Sequence, residues 1–414
     1  MAILRPFRAL RPKDALAERV LSPPYDVMNR AEAKAMAGGN AYSFLRVTRA
    51  ELELSADVGA YDARVYERSN ENLKGFVRDG VFLRDEKPCF YIYRQTMGGR
   101  TQTGVVGCAS IDAYESGDIK RHELTRVEKE EDRVRHFDVC DANTEPVFLT
   151  YRADARVDDA VGDFTRARSP AYDFVGADGV GHALWTVDDD AASAALVRAF
   201  DGVDFLYIAD GHHRSASAYR VGLRRREEHP GFDGTEEFNF FMAVAFPDRD
   251  LCIFDYNRVV RDLAGMSVEG FLSEVEKRFV IEKRGALAYA PREKHGFGMF
   301  LADDWYALRA RENIVPKDDA IGALDVSILQ DGLLRPVLGI EEPRTDERID
   351  FVGGIRGLAE LERRVRTDMA VAFSLCPVSV AELLAVADGG LIMPPKSTWF
   401  EPKLGSGLFV HTLS

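Results

Sequence analysis

The chain has 414 residues, 46% of them hydrophobic, enough to bury a substantial core and build two domains rather than a small scaffold held by staples. Its 54 Lys+Arg against 68 Asp+Glu give a formal charge of -14, which argues against a general field attracting nucleic acid and leaves room only for a local basic pocket. Five scattered cysteines (Cys89, Cys108, Cys140, Cys252 and Cys376) form no C-x-x-C pair, and neither a secretory-type start nor a long uncharged apolar run is seen; the expectation is a reduced, cytoplasmic protein with no membrane span.

"RPFRALRP" and "VLSPPYDVM" are dense in proline and predict an extended, pinned start. "NRAEAKAMA" offers Asn29 as an N-cap, then good helix formers up to Gly38, and residues 60–76 again read as helix. Between them "NAYSFLRV" reads as a strand-like stretch with Asn40 and Arg46 on its polar rim. "GVFLRDEKPCFYIYRQT" gives two short strands, "TGVVGCASIDAY" another, and "IKRHELTRVEKEEDRVRHF" a charged loop entering a helix. "PVFLTYR" and "VDFLYIAD" are strands, and "SASAYRVGLRRREEHPG" is a helix stopped by Pro230 and Gly231. "FNFFMAVAFPD" and "LCIFDYNRVV" read as a hairpin-like pair about Pro247 and Asp248. Helix and strand alternate beyond Val259, and the chain closes with the Pro- and Gly-rich strap "LIMPPKSTWFEPKLGSGLFVH". The pattern predicts an α/β protein of mixed α+β character in two domains, 1–258 and 259–414, with the strap returning to the site of the first.

The chemistry concentrates in "YIADGHHRSASAYR", Tyr207 to Arg220, where a strand passes through a tight turn into a helix. Gly211 allows close approach of a ligand, and the first helical turn presents N–H donors to an anion. His212 and His213 donate or accept protons, and Arg214 can make two directed contacts to a phosphate-like oxyanion. The competing reading is an Asp-Gly turn with surface polar residues. Adjacent histidines diverge in direction and no cysteine cluster accompanies them, so a zinc site is disfavoured; Asp210 is the candidate ligand for Mg²⁺ held through phosphate. The run Arg224, Arg225, Arg226 is followed at once by Glu227 and Glu228 and reads as a solvated helix face with local ion pairs.

Three further groups are candidates for the same chemistry. In "SPPYDV" the prolines fix Tyr25 and Asp26 as substrate contacts, or the segment is simply a strap. In "KRHELT" His122 and Glu123 form an acid/base pair, Glu123 taking a hydroxyl proton, with Arg133 on the following helix to neutralise phosphate; capping and salt-bridging are the alternative. In "MPPKSTWFEPKLGSG" Lys396, Ser397, Thr398 and Lys403 can meet a polyanionic phosphate, although the spacing is not that of a Walker A loop; a packing strap is the alternative. A G-x-S-x-G elbow and a full G-x-G-x-x-G fingerprint are both missing, which lowers the hydrolase and Rossmann oxidoreductase readings.

"RPFRALRP", "SPPYDV", "RHELT", "IADGHHR", "FNFFMAVAFPD" and "MPPKSTWFEPKLGSGL" together resemble the family known as domain of unknown function 1015, over nearly the whole chain. In "FDYNRVV", Tyr256, Asn257 and Arg258 stand where many relatives look more like Thr-His-Arg. The Asp210 to Arg214 turn further resembles the phosphate-binding turn of the ParB/sulfiredoxin superfamily, which includes partition proteins, sulfinic-acid repair enzymes and free serine kinases. That resemblance implies a ParB/sulfiredoxin-like N-terminal portion in which Asp210, His212, His213 and Arg214 orient a donor phosphate and Glu123 serves as acid/base. The expected function is a phosphotransferase using a nucleotide or polyphosphate with Mg²⁺ on a small hydroxyl substrate such as free serine. The alternatives are a non-enzymatic phosphate- or nucleotide-responsive module and, less well supported, a ParB-like DNA-associated protein.

Overall fold

The computed structural model describes residues 4–414, so the part of the N-terminal reading that concerns residues 1–3 lies outside the described residues. The protein is α/β, with helices and strands mixed along the chain and gathered into several sheets. Two compact units divide it: one runs to Leu251 and resumes at Pro402–Ser414, and the other is Cys252–Glu401.

In chain order the first unit contains β1 (Leu4–Arg5), α1 (Arg30–Ala37), α2 (Ala63–Arg78), β2 (Phe90–Met97), β3 (Arg100–Ser110), β4 (Ile119–Lys120), α3 (Val127–Cys140) and β5 (Val147–Tyr151). It continues with α4 (Ala155–Ala167), β6 (Tyr172–Val175), β7 (Gly181–Val187), α5 (Asp190–Phe200), β8 (Leu206–Asp210), α6 (His212–Glu228) and β9 (Phe240–Pro247). Four of these helices begin where short polar side chains close the first turn: Asn29 and Glu32 form a capping box on α1, and Asp62, Asp154 and Asp189 cap α2, α4 and α5.

The nine strands form one mixed sheet in the order β4-β8-β5-β9-β3-β2-β7-β6, with β1 added on β3. β8 runs parallel to β4 and β9 parallel to β5; the remaining pairs are antiparallel. Along β2, Phe90 and Ile92 enter the main apolar core with Val105, Leu149 and Ile208, while Tyr91 and Tyr93 face the other way and pack on Phe409 of the returning chain. Because both faces are covered, the strand reads as the continuous apolar run "FYIY" rather than as an alternation.

The second unit contains β10 (Cys252–Phe254), β11 (Tyr256–Val260), β12 (Phe279–Gly285), β13 (Gly296–Leu301), β14 (Asp304–Ala310), β15 (Ile349–Gly353), α7 (Gly357–Thr367), β16 (Val371–Leu375), α8 (Val380–Asp388) and β17 (Trp399–Glu401). Six of its strands make an antiparallel sheet, β12-β14-β13-β16-β11-β15, on which α7 lays Leu361 against Val259, Phe300 and Trp305. β10 and β17, the unit's first and last strands, pair antiparallel with Cys252 opposite Glu401.

Two local expectations are corrected. "FNFFMAVAFPD" and "LCIFDYNRVV" do not form a hairpin: β9 is an interior strand of the first sheet between β3 and β5, whereas the following segment splits into β10 and β11, each paired elsewhere. Both runs have the apolar content of strands, but their partners are set by distant chain, which local pattern does not encode. "NAYSFLRV" is not strand-like either. The Asn40 side chain accepts the Tyr42 N–H at 3.0 Å, a local turn, and Leu45–Thr48 is a helical turn.

Candidate functional site

β8 carries its buried run, Leu206 to Ala209, to the sheet end, and Gly211 turns the chain into α6 with φ 96. A side chain at this position would be strained, and its Cβ would lie 3.0 Å from Arg214 Nε, so glycine is what lets the guanidinium tuck beneath the turn. Gly211, the N-cap of α6, has no side chain to close the first turn, and the helix's first N–H groups have no acceptor within the helix.

Around that turn the chain gathers charge. Asp210 lies 3.3 Å from Arg214 Nη2 and 3.5 Å from Lys403 Nζ. Burial works to raise its pKa, but Lys403 and Arg214 outweigh this and hold the carboxyl well below its usual range. Arg214 is only 2% exposed and donates through Nη1 to the Pro146 carbonyl. Burial opposes its charge, and Asp210, Asp26 and Glu145 restore it. The guanidinium is thus committed to protein contacts and shapes the turn from below.

The two adjacent histidines have different surroundings. His213 Nε2 accepts the Arg126 N–H at 3.0 Å, which fastens the start of α3. His212 packs edge-on against His122 with ring centroids 4.5 Å apart, and its Nδ1 lies 3.7 Å from Glu123 Oε2. Burial pushes both His212 and His122 down to about 3, so both are neutral at pH 7. His212 Nε2 is buried without a hydrogen-bond partner, whereas Glu123 remains partly open to solvent.

Tyr25, Asp26 and Arg133 border a cavity of about 160 Å³, lined also by Tyr66, Lys129 and His136. Arg133 lies 4.0 Å above the Tyr25 ring and is held by Asp132, which also accepts the Tyr66 hydroxyl at 3.0 Å. Asp26 acts electrostatically on both His213 and Arg214, which relates this cavity to the α6 turn. Glu145 joins the two groups: its Oε1 accepts from the Tyr25 N–H and from Ser406 Oγ, each at 3.0 Å, and its Oε2 lies 3.5 Å from Arg133 Nη1. Burial raises the Glu145 pKa, which Arg214 and Arg133 oppose.

Glu145, Asp132 and Tyr66 were absent from the sequence-derived candidates. Glu145 in "NTEPV" had one usable signal, an acidic residue directly before a proline-led strand, but its spatial partners lie far away in the chain. Asn40 and Arg46 do not line the cavity. Asn40 donates to the Arg19 carbonyl and Arg46 pairs with Glu53.

Residues 4–327 match the family described as protein of unknown function DUF1015. The chain belongs to this family. No curated protein matches the chain. Among solved structures, a free serine kinase in complex with AMP is similar at 13% identity, covering 72% of this chain and 86% of that one, with a TM-score of 0.35. A conserved hypothetical protein from Pyrococcus furiosus gives 13% identity, 74% and 94% coverage and a TM-score of 0.35. SbnI with a C-terminal truncation, from Staphylococcus aureus, gives 12%, 74% and 86%, and 0.34. TM-scores this low bear on neither reaction nor ligand.

In this DUF1015 protein the strap is divided between the units. Lys403 belongs to the first; Lys396, Ser397 and Thr398 belong to the second. There Ser397 Oγ donates to the Pro394 carbonyl at 2.6 Å, and the Lys396 carbonyl accepts from Arg258 Nη2 at 3.1 Å. Among the described residues no three His, Cys, Asp or Glu side chains group closely enough to hold a metal ion, and Asp210 is already offset by two cations. A protein-held Mg²⁺ does not fit this donor set. The arginine run of α6 is engaged at home: Arg224 and Arg225 meet Asp138 at 2.8 and 3.2 Å, and Arg226 meets Asp112 at 2.7 Å. No helix among the described residues is long and apolar enough to cross a membrane.

Proposed function

We propose that the protein is a small-molecule phosphotransferase, moving a phosphoryl group from a nucleotide or polyphosphate to a small hydroxyl compound such as free serine. One observation carries the reading: uncapped N–H groups at the start of α6 stand beside Lys403 and a neutral His212 whose Nε2 has no partner and whose Nδ1 lies 3.7 Å from Glu123. Helix-start donors and a nearby ammonium stabilise charge on a transferred phosphoryl group. The resemblance of the Asp210 to Arg214 turn to the ParB/sulfiredoxin phosphate turn agrees with this use.

In this reading the acceptor occupies the cavity beside Tyr25 and Asp26. Its volume, about 160 Å³, suits a small polar molecule better than a nucleotide. The acceptor hydroxyl oxygen forms a bond to the terminal phosphorus, the bond from that phosphorus to the leaving phosphate breaks, and the hydroxyl proton passes to Glu123, which His212 helps to orient. Arg214 and Arg133 act from beneath, keeping Asp210, Glu145 and Tyr25 in place.

The test offers serine with ATP, ADP or pyrophosphate in separate reactions, with and without Mg²⁺, and measures phosphoserine. Turnover that falls by about 10²-fold or more in Glu123→Gln and in Lys403→Met is expected. Product formation that neither substitution alters contradicts the site. A second reading, a phosphate- or nucleotide-responsive module without turnover, draws on the commitment of Arg214 to Pro146 and Asp210, which leaves a pre-built but static turn. Tight binding of one of these donors with no product across the panel favours it. The paired arginines of α6 and the charge of -14 give DNA binding no comparable support.

A further inference from the structure

Gln95 on β2 and Gln102 on β3 face each other directly across the strands, and both are almost wholly buried, at 0% and 2% exposure. Same-face positions farther along β2 are the aromatic Tyr91 and Tyr93, so two amides here are conspicuous. Gln95 Nε2 donates to the Lys403 carbonyl at 2.9 Å. Gln102 Nε2 donates to Gln95 Oε1 at 2.9 Å and to the Pro402 carbonyl at 3.4 Å. Both glutamines thus turn their NH₂ groups towards strap carbonyls, and the Gln95 amide oxygen accepts from Gln102. Apolar side chains of the same volume would leave the Pro402 and Lys403 carbonyls without these partners.

The backbone fixed in this way is that of Lys403, whose Nζ lies 3.5 Å from Asp210 at the foot of the α6 turn. Three residues on, Ser406 exchanges backbone hydrogen bonds with Ser22 at 3.1 and 2.8 Å and donates its hydroxyl to Glu145. The returning chain is therefore held both at Lys403 and three residues farther on, and the first of these contacts fixes the lysine.

We infer that Gln95 and Gln102 are positioning residues: a buried amide pair that locks the Pro402–Lys403 backbone onto the sheet and so holds the Lys403 ammonium beside Asp210 at the foot of the α6 turn. The functional part of this inference rests on the proposed anion site; the mechanical part does not.

The experiment uses the full chain and the near-isosteric variants Gln95→Met and Gln102→Met, with two readouts. Without ligand, the rate at which an amine-acylating reagent modifies Lys403, followed by peptide mass spectrometry, is expected to rise about tenfold in Gln95→Met and less in Gln102→Met, whose strap contact is longer. With inorganic pyrophosphate as the probe, calorimetry is expected to show affinity weakened about tenfold in Gln95→Met, close to the loss in Lys403→Met. The double variant Gln95→Met/Lys403→Met is expected to bind no more weakly than Lys403→Met alone, because the glutamine acts through the lysine. Independent, additive losses would mark a merely structural residue. If Gln95→Met fails to fold, Gln102→Met carries both readouts. Unchanged Lys403 acylation in the folded glutamine variants overturns the inference. Undiminished pyrophosphate binding in Lys403→Met overturns the anion site instead, and acylation then decides the positioning alone.

Discussion

Arg214 in the first unit and Arg258 in the second are both almost wholly buried, at 2% and 4% exposure, yet their surroundings are opposite. Arg214 lies among carboxylates: Asp210 meets it directly, and Asp26 and Glu145 act from farther away, so its charge is supported despite burial. Arg258 has no carboxylate at ion-pair distance among the described residues. It donates to the carbonyls of Tyr256, Pro395 and Lys396 and faces the Phe351 ring, and burial pulls its pKa down to about 10. The first arrangement gathers fixed, mutually compensated charge at one turn. The second uses an arginine as a clamp on backbone.

Removing the guanidiniums separates the two cases most sharply. Arg214→Met leaves Asp210 and the buried Glu145 short of compensation and is expected to destabilise the first unit by about 3–5 kcal/mol. Arg258→Met leaves carbonyls unsatisfied but strands no charge, and is expected to cost about 1–3 kcal/mol. Hydrogen exchange of β5 and β8 in one unit, and of β11 and β16 in the other, measures each loss separately. Equal losses would break the contrast.

Acidity sharpens it next. His122 and His212, held down to about 3 by burial, titrate near 6.5 once unfolded. Between those values the unfolded chain binds protons that the folded one refuses. Their contribution to stability is full above about pH 6.5 and declines as pH falls towards 3, by up to about 1.4 kcal/mol per pH unit for each histidine. In the second unit burial raises Asp325 to about 6 from 3.8, so there the folded state holds the extra proton and the same pH drop is stabilising. Exchange protection measured between pH 6.5 and 5 should fall in the first unit and rise in the second. His212→Asn should make the first slope shallower, His122 keeping its share, and leave the second unchanged.

The smallest effect is expected on the exposed face of α6. Arg224→Ala removes one half-exposed pair with Asp138 and should change stability by less than about 1 kcal/mol, with unfolding in urea as the check.

Much of the first unit's architecture was legible because its signals are local. Asn29 with Glu32, the Gly38 stop, the strand–glycine–helix passage at Gly211 and the break before Pro230 each lie within a few residues of their cause. His122 and Glu123 were read as a pair in "KRHELT" and His212 in the strand-to-helix turn, and the fold brings the three side chains together. Single polar residues on strands covered on both faces were not legible. Gln95 and Gln102 read like any solvent-facing position, because nothing near them announces that residues 402–410 return to cover that face. The assumed hairpin failed for the same reason, since β9 takes its neighbours from residues 100–110 and 147–151. The arginine run was read as a face of local ion pairs, and Asp112 and Asp138 supply them.

The neck formed by β10 and β17 has a consequence for how this architecture can vary. The 150-residue passenger Cys252–Glu401 departs and rejoins through two neighbouring strands, so the host's severed ends already stand side by side. A passenger mounted this way can grow, shrink or be exchanged for another without altering the spacing its host must keep.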